Sequence, residues 1–355
     1  MSLFTNTTIN GINTSTVSAI EQYEEPKALY IFRLTLFSVI ISASLIGNSM
    51  VCYAVCTIPS RKPLPYHLVA NMAFAEILSS VCLAVMFVSW QTSPTDVVLQ
   101  EAACILNPLQ VIALLVVIYS LAAIAFYRYK FIVNPLPRTP SSVKTITILT
   151  ISGQWLMSFA IACPYFFGLR FRNGNCEELS FVNNRSYVAI RFILNYALPY
   201  VIMLASCGAV AWNLRRRIVQ IEWLNRDLNV VPSRDDETEL QELRDGTRME
   251  KRRSVLLDQN NRRDSKPENT DPEKDLLKMI FILIIIFVTC YFPYQAHYVW
   301  ERVCNITAYQ FRYNRLLIDY NFILTCLPSA LNPLCYGTMN SFFAKAFSKI
   351  ILCRS

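Results

Sequence analysis

Charge is scarce in this chain: Asp, Glu, Lys and Arg make up 16% of the 355 residues, against 54% hydrophobic. Soluble domains carry roughly 25% charged residues, so the composition excludes an ordinary soluble protein and makes the membrane its solvent. Histidine is scarcer still. The two present, His67 and His297, fall near opposite membrane faces and cannot share a metal ion, and no nucleophile has a base at usable spacing. The expectation is a protein that is not an enzyme and holds no metal or cofactor. The first 27 residues lack the basic n-region and apolar h-region of a cleavable leader, so the first apolar run is expected to direct insertion itself. Internal repeats and paired broken helices are missing too, which argues against a transporter or channel.

Long apolar runs are what the chain has instead. Crossing a hydrocarbon core takes about 20 apolar residues, and seven segments qualify: roughly 29–57, 66–91, 104–128, 143–167, 187–214, 275–300 and 314–337. Most of the 33 Lys and Arg flank the ends after spans one, three, five and seven, the largest block lying between Arg215 and Lys278; that side is expected to be cytoplasmic. The N-x-S/T sequons at Asn6, Asn13, Asn184 and Asn305 all fall on the other side, where glycosylation occurs. The N-terminus is therefore expected outside. The chain divides into an outer glycosylated tail (1–28), spans one to five (29–222), a third inner loop (223–272), spans six and seven (273–338), and a final helix and tail (339–355). The third loop mixes charges and is poor in aromatics, a composition that cannot bury enough surface to fold alone.

Polar groups inside the spans cost free energy unless they face one another. Asn48 in span one must therefore point inward. Glu76 in span two is the only acid in the middle of any span. It is read either as a functional carboxylate or as a neutral group bonding across the bundle. In span three, Gln110 and Arg128 are five whole turns apart and share one face over about 27 Å. Arg128, at the inner end between Tyr127 and Tyr129, is either a switch or an arginine whose head lies among the lipid headgroups. Trp155 in span four reads as packing or lipid-facing. After span four, Asn173-Gly174 between two short alternating runs predicts a β-hairpin pairing Arg170 with Glu177 and Phe171 with Cys176. Cys104 and Cys176 are the outer-face disulfide pair, and Cys304, also outside, is left unassigned.

Further along, Pro199 lies in span five, and Asp271-Pro272-Glu273 is a strong helix start for span six. Pro293 removes a donor and predicts a kink. Span seven carries Pro328, Asn332 and Pro333, a combination tolerated only where neighbours satisfy the freed carbonyls. Residues 341–352 have one hydrophobic face and lysines four apart, which predicts a helix on the inner membrane surface, with Cys353 a palmitoylation candidate. The fold class is thus an all-α membrane protein: a seven-helix bundle with a β-hairpin outer loop and a short amphipathic helix after span seven.

Gly47-Asn48, Ala73-Phe74-Ala75-Glu76, Cys104 with Cys176, Tyr127-Arg128-Tyr129, Trp155, Pro199, Cys290-Tyr291-Phe292-Pro293 and Asn332-Pro333-Leu334-Cys335-Tyr336, in this order over about residues 29–353, resemble the rhodopsin-like family of G-protein-coupled receptors. Within it, Asn71 to Glu76 and Ile118 to Pro135 look most like tachykinin and related neuropeptide receptors. The resemblance implies a plasma-membrane receptor whose partners are an extracellular ligand, a heterotrimeric G protein, arrestin and kinases, with no role for nucleic acid. It implies that Arg128 engages the G protein, that Asn332, Pro333 and Tyr336 form the span-seven switch, and that Glu76 centres the polar network. Tyr127 departs from the acid usual before the arginine, Tyr291 from the usual tryptophan, and Cys207 from a usual tyrosine. With Tyr127 uncharged, Glu273 is expected to restrain Arg128 in the resting state. A biogenic amine would need a carboxylate on the inward face of outer span three, where Gln110 stands, and a retinal ligand would need a span-seven lysine, which is missing. A peptide ligand is expected instead, in a cavity lined by Gln110, Leu114, Arg191, Asn195, Tyr294, Gln295, Tyr298 and Phe322, whose aromatic walls and amides suit a neutral end such as a C-terminal amide.

Overall fold

In lipid every backbone N–H and C=O must be satisfied within the chain, and a long apolar run does so by coiling into a helix. The computed structural model describes residues 25–57, 64–91, 97–133, 140–172, 175–182, 184–229, 272–304 and 314–352. Helices α1 (Lys27–Thr57), α2 (Leu64–Gln91), α3 (Val97–Val133) and α4 (Pro140–Gly168) correspond to spans one to four. Strands β1 (Leu169–Arg172) and β2 (Asn175–Glu178) follow, paired antiparallel with Arg170 opposite Glu177 and Phe171 opposite Cys176. Span five is α5 (Arg185–Phe192), a π-helical segment (Ile193–Ala197) and α6 (Leu198–Asn229). Spans six and seven are α7 (Pro272–Cys304) and α8 (Asn314–Met339), and α9 (Ser341–Ile351) closes the chain.

The bundle is polar inside and greasy outside. Ser44, Asn48, Glu76, Ser80, Ser120 and Asn332 are buried, while Phe32, Ile46, Leu156, Phe167, Leu204 and Trp212 are exposed. In water so much exposed apolar surface would drive association; against acyl chains it costs nothing. Helix α3 is central, touching α2, α4, α6, α7 and both strands. Its Val116, Ile118, Leu121 and Ile124 meet Leu68 and Met72 of α2, Met203 of α6, and Met279, Leu283 and Phe287 of α7 in the main apolar core. A second cluster, Phe37, Ile40 and Ile41 with Leu83 and Ile323, joins α1, α2 and α8.

Two features differ from the sequence expectation, and a third, at Pro199, lies outside it. Six stretches among the described residues are long and apolar enough to cross a membrane, and α8 is not one of them. The cause is its polar content: Asp319, Asn321 and Asn332 and two prolines dilute the apolar run. Span five widens just before Pro199. Pro199 has no N–H for the carbonyl of Asn195, and the turn before it opens so that the Leu198 N–H bonds Ile193 instead. Helix α6 also continues to Asn229, beyond residue 222 where the inner loop was drawn. Asn6, Asn13, Asn305, Cys353, the Asn173-Gly174 turn and the side chain of Glu273 lie outside the described residues.

Candidate functional site

The polar axis begins between α1 and α8. Pro333 cannot donate to the Ser329 carbonyl one turn earlier, and Asn48 Nδ2 donates to that carbonyl at 2.9 Å. The same amide donates to the Ser44 carbonyl at 3.0 Å, and Ser44 Oγ meets Ser80 Oγ at 2.8 Å. Gly47 makes the approach possible, since a Cβ there would sit 2.7 Å from the Pro333 Cβ. Next to this, Glu76 is 1% exposed and accepts from Ser329 Oγ and, at 3.1 Å, from Asn332 Nδ2. Glu76, Asn332 and Pro333 are thus brought together at mid-bundle.

A second polar cluster joins α2, α3 and α4. Asn71 Nδ2 donates to Ser120 Oγ and to Gln154 Oε1, both at 3.0 Å, and Ser120 Oγ also donates to Gln154 Oε1. Trp155 Nε1 donates to Asn71 Oδ1 at 3.0 Å. Trp155 therefore does more than pack, and Gln154 was not singled out by sequence; an amide inside an apolar helix was the available signal. Higher up, Tyr119 Oη donates at 2.9 Å to Leu194, a carbonyl that the π segment leaves without its usual helical donor.

Towards the end of the bundle opposite the hairpin, Arg128 is buried. Tyr127 Oη lies 2.8 Å from Thr150 Oγ1, and Thr150 Oγ1 itself donates to the Ile146 carbonyl at 2.7 Å. The threonine proton is committed, so the tyrosine is the donor. Tyr336, fully buried, donates to Met72 Sδ at 3.9 Å and packs 5.4 Å from the Phe343 ring. Phe343 belongs to α9, which Asn340 caps by accepting from the N–H groups of Phe342 and Phe343. Tyr291 is buried against Phe287 at 4.2 Å, two residues before the internal Pro293, and Phe287 continues to Tyr200 at 5.7 Å.

At the hairpin end of the bundle Cys104 and Cys176 are disulfide-bonded, with Cα atoms 5.6 Å apart, which fastens β2 to α3. The Gly168 carbonyl accepts from Leu179 N at 2.8 Å, closing the base of the hairpin. Asn184, an exposed sequon asparagine, caps α5. Arg191 lies with its Cζ 5.0 Å from the Tyr165 ring centroid and 5.1 Å from that of Tyr298. Tyr294 meets Phe322 edge-on at 6.4 Å, and Phe322 stacks on Phe37 at the same separation. Asn195 and Gln295 are buried. Gln110 is partly buried higher on α3, whereas Leu114 packs against the main core.

Helices of this length, apolar outside and linked inside by amides, a carboxylate and prolines, make a multi-pass helical membrane protein. The sequence pattern of the 7 transmembrane receptor (rhodopsin family) matches residues 47–336, and the chain belongs to that family. It is similar to the D(4) dopamine receptor of Mustela putorius furo, 25% identical over 331 residues that cover 88% of each chain. It is also similar to two Drosophila melanogaster proteins: the octopamine receptor beta-2R, 21% identical over 92% of this chain and 62% of that one, and the tachykinin-like peptides receptor 86C, 22% identical over 95% and 62%. The last two are thus spanned over less than two thirds of their length.

Proposed function

We propose that the chain is a plasma-membrane receptor, N-terminus outside, that binds an extracellular peptide between the outer ends of spans three, five, six and seven and activates heterotrimeric G proteins from its inner face. The observation that carries this reading is the pair of aromatic contacts Arg191–Tyr298 and Tyr294–Phe322, with Asn195 and Gln295 buried on the same spans. Relatives bearing amine names and one bearing a peptide name match at similar identity, so the names do not choose between ligands. Gln110 argues for the peptide, because a neutral amide offers an ammonium no counter-charge. The β-hairpin acts as a lid on the cavity, Asn6, Asn13, Asn184 and Asn305 carry glycans, α9 lies on the inner leaflet with Cys353 palmitoylated, and the loop after α6 serves kinases and arrestin.

The test is to express the chain in cells, apply neuropeptides, and read calcium and cAMP, then to repeat with Gln110→Ala and Tyr294→Ala. Loss of potency in both variants supports the cavity; unchanged potency in both removes it. A second reading, a receptor with weak coupling, is favoured by the Tyr127–Thr150 bond, which ties the residue before Arg128 to α4. Ligand-stimulated nucleotide exchange in membranes separates the two.

A further inference from the structure

We propose that the outer cavity takes its ligand through a carboxylate, held by Arg191; this rests on the ligand-cavity reading above and gives that ligand a charge. Arg191 lies in the last turn of α5 and is partly buried. Its guanidinium lies over the faces of two tyrosine rings, Tyr165 at 5.0 Å and Tyr298 at 5.1 Å, with the phenols of Tyr187 and Tyr196 also near. Ring faces attract a cation through their quadrupole but leave the in-plane N–H groups of the guanidinium unbonded. Among the described residues none of these N–H groups finds an acceptor, and no Asp or Glu pairs with Arg191. Glu178, one of two acids on strand β2, accepts from Tyr165 Oη at 3.2 Å. A cation drawn into a protein normally brings its anion along, and among the described residues no Asp or Glu does this for Arg191.

A second observation lies one turn inward. Asn195, on the π segment, is 4% exposed and its Oδ1 has no partner. Oxygen and nitrogen of such an amide exchange by a half-turn, so Asn195 can offer N–H to an anion beside Arg191. The two residues are four apart on neighbouring turns. The fork of an arginine matches the two oxygens of a carboxylate. A single cation among neutral phenols balances one negative charge, which favours a carboxylate over a phosphate dianion, and it repels an ammonium. The carboxylate comes from either a free peptide C-terminus or a small organic acid.

The experiment uses the full chain in nanodiscs and two matched probe pairs: N-acetyl-diphenylalanine as acid and as amide, and 4-phenylbutyrate with 4-phenylbutyramide. The expected result is that at least one acid raises the melting temperature and binds about tenfold or more tightly than its amide. Preference in the peptide pair alone identifies a peptide C-terminus, and preference in the phenylbutyrate pair a small acid. Arg191→Gln is expected to abolish the preference and Arg191→Lys, which keeps the charge, to retain part of it. Amides equal to acids in the wild type, no shift with any probe, or a preference that survives in Arg191→Gln each overturn the proposal. The cavity is read separately, by labelling Tyr294→Cys with a membrane-impermeant thiol reagent from outside. Labelling without acid preference leaves the cavity standing and removes only the carboxylate.

Discussion

Asn48 donates its amide N–H over 2.9 Å to the carbonyl of Ser329, the very group that Pro333 deprives of a helical donor. One side chain of α1 thus repairs a gap that a proline makes in α8. Asn48→Ala leaves that buried carbonyl without a partner and is expected to destabilise the bundle by about 1–3 kcal/mol. In a Pro333→Ala background the helix recovers its own N–H, and the cost of Asn48→Ala should fall to under about 1 kcal/mol. Melting curves of the four proteins in detergent measure the difference. Equal losses in both backgrounds mean that Asn48 works through Ser44 alone.

The inward direction of Asn48 and Glu76 was legible because a polar side chain in lipid has only the bundle interior to turn to. Their partners were not. Asn48 and Ser329 are 281 residues apart, and Glu76 and Asn332 are 256 apart, so no local pattern pairs them. Gln154 escaped notice for the same reason: its role exists only where α2, α3 and α4 meet. Pro199 announces a missing donor from the sequence, but the widening before it and the partner of the freed Leu194 carbonyl, Tyr119 from another helix, show only in the fold. Cys104 and Cys176 were readable as a pair because one stands at the start of span three and the other on the predicted hairpin beside it, at the same end of the bundle.

Glu76 accepts from two donors, Ser329 Oγ and Asn332 Nδ2. Glu76→Gln keeps an acceptor oxygen and is expected to cost no more than about 1 kcal/mol. Glu76→Leu strands both donors in the interior and is expected to cost about 2–5 kcal/mol. Thermal stability after purification ranks the variants, and a leucine variant as stable as wild type removes Glu76 from the network.

The Cys104–Cys176 bond closes a separation of 72 residues. In the chain-entropy description such a loop is worth about 4 kcal/mol, and its loss also frees β2 from α3. Cys104→Ser, Cys176→Ser and the double variant are therefore expected to lose surface expression to the same extent, because each breaks the same bond. Flow cytometry of an N-terminal epitope reads this. A double variant clearly worse than either single one points to a second role for one of the sulfurs.

Tyr127 gives its proton to Thr150, whose own proton goes to Ile146. The residue before Arg128 is thus bound to α4 and offers the arginine no charge. From the sequence we propose that the restraint of Arg128 comes from Glu273, one of two acids in the first turn of α7. A charge-assisted bond at a wet helix end contributes about 1–3 kcal/mol, and every 1.4 kcal/mol moves a two-state equilibrium about tenfold. Basal nucleotide exchange is accordingly expected to rise several-fold to a hundredfold in Glu273→Gln. It is expected to fall in Tyr127→Asp, where a new carboxylate beside Arg128 holds the resting state. Tyr127→Phe separates the two effects: it loses the bond to Thr150 and about 1 kcal/mol of stability, yet leaves basal exchange unchanged because no charge is altered. Flat basal exchange in Glu273→Gln at equal surface expression removes Glu273 from the restraint and transfers it to other groups around Arg128.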